Sequence, residues 1–147
     1  MRIERINPEH AKHLIEELDR YQKSLYPGES CHMDSIATLQ AKNVHFYGAI
    51  EGNEIIAIGS VKILENYGEL KRIYVPPIHR GKGLAKKIIS VLENEVRSQN
   101  ISIIRLETGP YSTEAISLYK KLGYTERGAF GDYSDDPLST FMEKHIV

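Results

Sequence analysis

Arg80-Gly81-Lys82-Gly83-Leu84-Ala85 is the stretch whose residue types and spacing are best suited to chemistry. It follows Val75-Pro76-Pro77, where prolines end a strand because they cannot donate to a ladder, and it opens an amphipathic run. Glycines let a ligand come close to the backbone. The first turn of a helix offers unpaired N–H groups at the positive end of the dipole. Lys82, Lys86 and Lys87 add positive charge. The chemistry that fits is capture of a phosphate or pyrophosphate. A nucleotide P-loop is excluded because G-x-x-x-x-G-K-[ST] is absent. A dinucleotide fingerprint fails too, since Lys86 stands where the third glycine of G-x-G-x-x-G belongs and the preceding strand lies in a meander. On this stretch alone, a helix start that merely holds two glycines remains an alternative.

The elements that must position this turn are read from apolar periodicity and breakers. Residues 1–6 alternate as a short strand, and Asn7-Pro8 caps and opens a helix extending to about Ser24. A shorter helix is expected from Asp34 to Ala41. Three strands follow, Val44 to Ile50, Glu54 to Leu64 and Glu69 to Val75, with Gly59 marking a bulge or close approach in the second. Short turns between them imply an antiparallel meander. Leu84, Ile88, Val91, Leu92 and Val96 form one stripe of a helix from about Gly81 to Gln99. Ser102 to Glu107 reads as a strand, and Ala115, Ile116, Tyr119 and Leu122 mark a helix that ends at Gly123. Tyr124 to Arg127 and Thr140 to Ile146 close the chain as strands. The order predicts an α+β fold with a mixed, mostly antiparallel sheet, flanked by helices, in which Glu69–Val75 and Ser102–Glu107 run nearly parallel.

Arg80, Gly83 and Ala85 occupy the fixed positions of the R/Q-x-x-G-x-G/A motif, and the turn thereby resembles that of the GNAT acetyltransferases. Leu70-Lys71-Arg72-Ile73-Tyr74-Val75 is similar to that family's fourth strand. Ala115 to Tyr124 is similar to its helix of the form A-x-x-L-Y-x-x-x-G-F/Y. The segment from Phe130 to Lys144, with the L-E-T-G strand end at Glu107, resembles a subgroup of small bacterial acetyltransferases. The resemblance spans essentially the whole chain and implies a single domain over 1–147, with a splay between strands 4 and 5. It implies acetyl-CoA as co-substrate. The pyrophosphate would meet the backbone of Arg80, Gly81, Lys82, Gly83, Leu84 and Ala85, and the pantetheine arm would pair with Ile73, Tyr74 and Val75. Tyr119 matches the tyrosine that protonates the departing thiolate. Ser112 stands where the family commonly has Asn, which puts a side-chain contact to the pantetheine in question.

The acceptor chemistry follows from the reaction. An alkylamine is mostly protonated near neutral pH and must lose a proton before attack, so a base is required. Glu69 is the candidate. By the period of two it shares a face with Lys71, Ile73 and Val75; the alternative is a strand-end carboxylate paired with Lys71 or Arg72. A backbone N–H near Val75 is the candidate oxyanion donor. Glu107 and Glu114 flank the loop Thr108 to Tyr111, as surface charges or as part of an amine site. The loops Tyr26 to His32, Thr108 to Tyr111 and Phe130 to Tyr133 are expected to build the acceptor pocket, or only to pack onto the sheet. Arg72 or His32 would pair with an acceptor carboxylate.

Composition bounds the remaining classes. The formal charge is −1, which argues against nucleic acid as partner. No apolar run is long enough to span a bilayer, and the N-terminus does not read as a signal peptide. Cys31 is the sole cysteine and reads as a plain thiol in a reducing, cytoplasmic setting. His10 and His13 lie one turn apart without a third ligand nearby, so no metal is expected. The expectation is an N-acetyltransferase acting on a small primary amine, monomeric or homodimeric. A non-catalytic coenzyme-binding domain and a transferase of a longer acyl group are the competing readings.

Overall fold

The computed structural model describes residues 1–26 and 35–146. Strand β1 (Arg2–Arg5) leads to Asn7, whose side chain accepts the Glu9 N–H at 3.0 Å. With Pro8 at the next position, this cap starts a 3-10 turn (Pro8–Ala11) that runs into helix α1 (Lys12–Leu25). Ser35 caps the short α2 (Ile36–Leu39) by accepting the Thr38 N–H at 3.2 Å; the expected start at Asp34 lies outside the described residues. The meander follows as β2 (Val44–Glu51), β3 (Glu54–Ile63) and β4 (Gly68–Tyr74). Then come α3 (Leu84–Ser98), β5 (Ile103–Thr108), α4 (Thr113–Lys121), β6 (Thr125–Arg127) and β7 (Thr140–His145).

The seven strands form one sheet in the order β1-β2-β3-β4-β5-β7-β6. Strands β4 and β5 run parallel and the other neighbours antiparallel. The sequence gives no hint that β7 inserts between β5 and β6. Two apolar clusters hold the layers. On one face Ile88, Ile89, Leu92 and Val96 of α3 pack against Val61, Leu70, Ile104 and Leu106. In the other cluster Leu14, Ile15 and Leu18 of α1 pack with Phe46, Ile58 and Tyr74. Among the described residues, no helix is long and apolar enough to cross a membrane.

The period of two fails on β4. Ile58 pairs with Tyr74 and Ser60 with Lys71, so three steps on β4 oppose two on β3. The extra residue is a bulge at Arg72, whose φ is +58°. Ser60 fills the broken ladder by donating its hydroxyl to the Lys71 carbonyl at 2.6 Å. The close approach expected at Gly59 is present opposite the bulge, where a Cβ would sit 2.5 Å from Ile88 Cγ2 and 2.9 Å from Ile73 Cδ1. The consequence corrects the face assignment. Leu70 and then Ile73 and Val75 pack toward α3, whereas Arg72 reaches Asp19 of α1 and Tyr74 joins the α1 cluster. Glu69 and Lys71, paired with each other, alternate with Leu70 and therefore lie on the face opposite Ile73 and Val75.

The splay is the feature that makes a site. β4 and β5 pair only at Gly68–Ile104, Glu69–Arg105 and Leu70–Leu106. Past that point β4 stays with β3 as far as Tyr74, while β5 stays with β7 as far as Thr108. Each strand keeps its outer partner and loses the inner one.

Candidate active site

Pro76 and Pro77 end β4 and fold the chain into a 3-10 turn over Pro77–His79. Gly81 and Gly83 follow with φ of +83° and +74°, a region that side chains rarely adopt. Gly83 is the N-cap of α3, so the helix begins at Leu84 and not at Gly81 as its periodicity suggests. The first helical bond runs from the Lys87 N–H to the Gly83 carbonyl at 3.1 Å. No side chain caps this end and no acidic residue sits in its first turn. Lys86 and Lys87 stand there instead, the wrong charge for an isolated helix dipole and the right one for a bound anion. Arg80 ties the turn to the strand end, its Nε donating to the Val75 carbonyl at 2.9 Å.

From this turn a cleft of about 440 Å³ runs between the parted strands. It gathers Glu69, Ile73, Tyr74, Val75, Arg80, Gly81, Gly83, Leu84, Ala85, Ser112 and Tyr119 from the sequence prediction. Lys82 does not line it; its Nζ lies 3.5 Å from His79 Nδ1. Ser112 shares a 3.0 Å hydrogen bond with the Tyr26 hydroxyl, which also accepts the Tyr111 N–H at 3.0 Å. The Tyr26 and Tyr111 rings stack with centroids 5.4 Å apart. The end of α1 is thereby fastened to the loop that follows β5.

Titratable groups line the cleft as well. Glu69 is only 5% exposed. Its Oε2 accepts the Tyr133 hydroxyl at 2.6 Å and stands 3.4 Å from Lys71 Nζ, so the ion pair with Lys71 that the sequence allowed is present. Two more carboxylates line the cleft, Glu107 and Glu114, the latter 3.6 Å from Arg80 Nη1. Burial pushes the Glu107 carboxyl up to about 7; the negative charges of Glu69 and Asp136 add to this, while Ser139 and Lys71 act in the opposite sense. Tyr119, 7% exposed, lies against Tyr124 edge to face, and burial raises its hydroxyl above the ordinary phenolic value. Arg72 is bound to Asp19. His32 and Cys31 lie outside the described residues.

A sequence model of the Acetyltransferase (GNAT) family matches residues 11–124. The chain belongs to this family. It is 42% identical over 135 residues to the IAA acetyltransferase of Azospirillum brasilense, covering 90% of this chain and 88% of the relative. It is 32% identical over 123 residues to the uncharacterized N-acetyltransferase YsnE of Bacillus subtilis, covering 82% of each. A Klebsiella pneumoniae structure assigned to the acyl-CoA N-acyltransferases superposes with a TM-score of 0.86 at 35% identity, over 99% of this chain and 97% of that one.

Within this GNAT acetyltransferase, three cleft residues carry more than the sequence disclosed. Glu107 read as one of two loop-flanking acids, at the surface or in an amine site, and Tyr26 and Tyr133 lay in loops expected to build the acceptor pocket or only to pack onto the sheet; all three line the cleft. The L-E-T-G strand end was the available signal for Glu107, but nothing in it conveys burial. Phe130 belongs to the packing alternative: it is buried in edge-to-face contact with Tyr67, Tyr133 and Phe141.

Proposed function

We propose that this acetyltransferase moves the acetyl group of acetyl-CoA to the primary amine of a small-molecule acceptor by direct attack. The observation that carries the reading is that one cleft joins an anion-ready turn, Arg80 to Ala85, to two carboxylates, Glu69 and Glu107, through the gap between β4 and β5. In this reading the pyrophosphate takes the free N–H groups of the turn. The pantetheine takes the inner edge of β4 at Ile73, Tyr74 and Val75, which β5 has left unpaired. Ser112 contributes its hydroxyl only in competition with Tyr26.

The acceptor arrives as an ammonium ion, and a carboxylate lined end attracts it. One proton leaves to a carboxylate, which frees the nitrogen lone pair. The nitrogen bonds to the thioester carbonyl carbon, and a backbone N–H near Val75 steadies the oxygen. The C–S bond then breaks with its electron pair on sulfur. The second nitrogen proton is lost on collapse, and the thiolate gains one through Tyr119, whose hydroxyl is protonated at neutral pH. Glu69 is a catalytic residue in this scheme because it meets the amine.

The test is release of free thiol from acetyl-CoA with a panel of amino acids, polyamines, aminoglycosides, histone-like peptides and IAA, the last from the name of the Azospirillum relative. Turnover with small primary amines is expected. Activity confined to the peptides, or to IAA, would overturn the acceptor class.

A further inference from the structure

We infer that Glu107 is the group that takes the acceptor's proton, while Glu69, already fixed by Tyr133 and Lys71, holds the incoming amine; this division rests on the acetyl-transfer reading above. Leu106 packs toward α3, so Glu107, the next residue, faces the opposite side of β5. Glu69 lies on that same side through its register with Arg105. Glu107 sits just beyond Leu70–Leu106, the last pair before the strands part. The two carboxylates therefore bracket the mouth of the gap, one from each strand.

Their surroundings divide the work. Glu69 already holds two donors on one oxygen, the Tyr133 hydroxyl and Lys71 Nζ. It is positioned by partners that an arriving amine can join. Glu107 faces Lys71 and Glu69 from β4, and Asp136 and Ser139 from the segment entering β7. Its burial and the neighbouring carboxylates raise its proton affinity to the value at which a base works best near neutral pH. In the cycle the ammonium gives one proton to the Glu107 carboxylate, the second nitrogen proton balances the one gained by sulfur, and Glu107 returns its proton to water. One proton is released per acetyl transferred.

A residue that only braces the segment entering β7 would look similar in the structure, so the test needs a chemical signature. For the wild-type protein, kcat/KM with an accepted amine is expected to rise with pH through a limb near 7. Glu107→Gln should lower kcat by about a hundredfold or more, leave acetyl-CoA affinity by calorimetry within a few-fold, and lose that limb. Glu69→Gln should raise the amine KM and keep the limb, moved to lower pH by loss of the neighbouring charge. A Glu107→Gln protein that keeps both limb and turnover overturns the inference, as does loss of the limb only in Glu69→Gln. Should no amine be accepted, the acetyl-transfer reading fails separately, and carboxyl ¹³C NMR still decides the role. A Glu107 midpoint near 7 that falls in Glu69→Gln supports the paired carboxylates; titration in the ordinary carboxylate range overturns them.

Discussion

Burial of Glu107 works against folding at the pH where a base must be ionised. Its carboxyl titrates near 7 in the fold against 4.5 for the free group. Because the folded value is raised, the native state binds the extra proton between those values. Stability is fullest below about pH 4.5 and declines as pH climbs through 7. Glu107→Gln should therefore melt higher than the wild type at pH 8, by up to about 3 kcal/mol of stability, and should gain nothing at pH 4. Chemical denaturation at the two pH values measures this, and equal stability at pH 8 would contradict the burial argument. A substitution that stabilises and inactivates together marks a group kept for chemistry. Tyr119 has the opposite balance. Its hydroxyl is held above the normal phenolic range and stays protonated through the neutral region, so it adds no limb below pH 10. Tyr119→Phe should lower kcat roughly tenfold to a thousandfold with acetyl-CoA affinity unchanged; wild-type turnover would end the assignment. Tyr119 was legible because motif spacing fixes it on a helix. Glu107 was not, because its raised proton affinity comes from burial and from Glu69 and Asp136, which the fold brings to it from other elements.

At the scale of elements, the turn and the bulge show what a linear pattern conveys and what it misses. Glycines before an amphipathic stripe announce a turn that opens a helix, and the structure places them there. The reason for glycine is backbone angle: a Cβ added to Gly83 would meet no protein atom within 4 Å, yet its φ is +74°. Gly83→Val should distort the cap and weaken coenzyme A binding more than tenfold, or about 1.4 kcal/mol. Gly83→Asn, which tolerates a left-handed residue, should keep most of the affinity. Calorimetry giving the two variants equal affinity would shift the cause from backbone to bulk. The bulge at Arg72 left no such mark, since an arginine at positive φ is not a residue that breaks strands. It is held in place by tertiary partners, the Asp19 carboxylate on α1 and the Ser60 hydroxyl on β3. A single slip there moves Ile73 and Val75 to the α3 face and leaves Glu69 and Lys71 on the opposite one.

For the whole molecule, the consequence of the splay is a sheet with an internal open edge. Strand count and order of elements were legible, as were the parallel pair and its parting. The placement of β7 between β5 and β6 was not, because pairing between strands distant in sequence leaves no local periodicity. That placement secures β5 independently of β4, so the gap can persist without unravelling the fold. An open edge inside a protein is stabilised by whatever pairs with it. Acetyl-CoA at a hundred times its Kd should add about 2.7 kcal/mol, or roughly 5–10 °C in Tm for a chain of this size. Coenzyme A should match it, because turn and strand edge grip the shared parts. Adenosine diphosphate, which lacks the pantetheine, should give only part of the shift. Amide hydrogen exchange should slow at residues 71–75 and 84–86, beside the gap and at the start of α3, and stay unchanged in the β1–β2 ladder. A full shift from adenosine diphosphate, with no slowing at residues 71–75, would mean that the ligand rests on the turn alone and that the parted strands do not hold it.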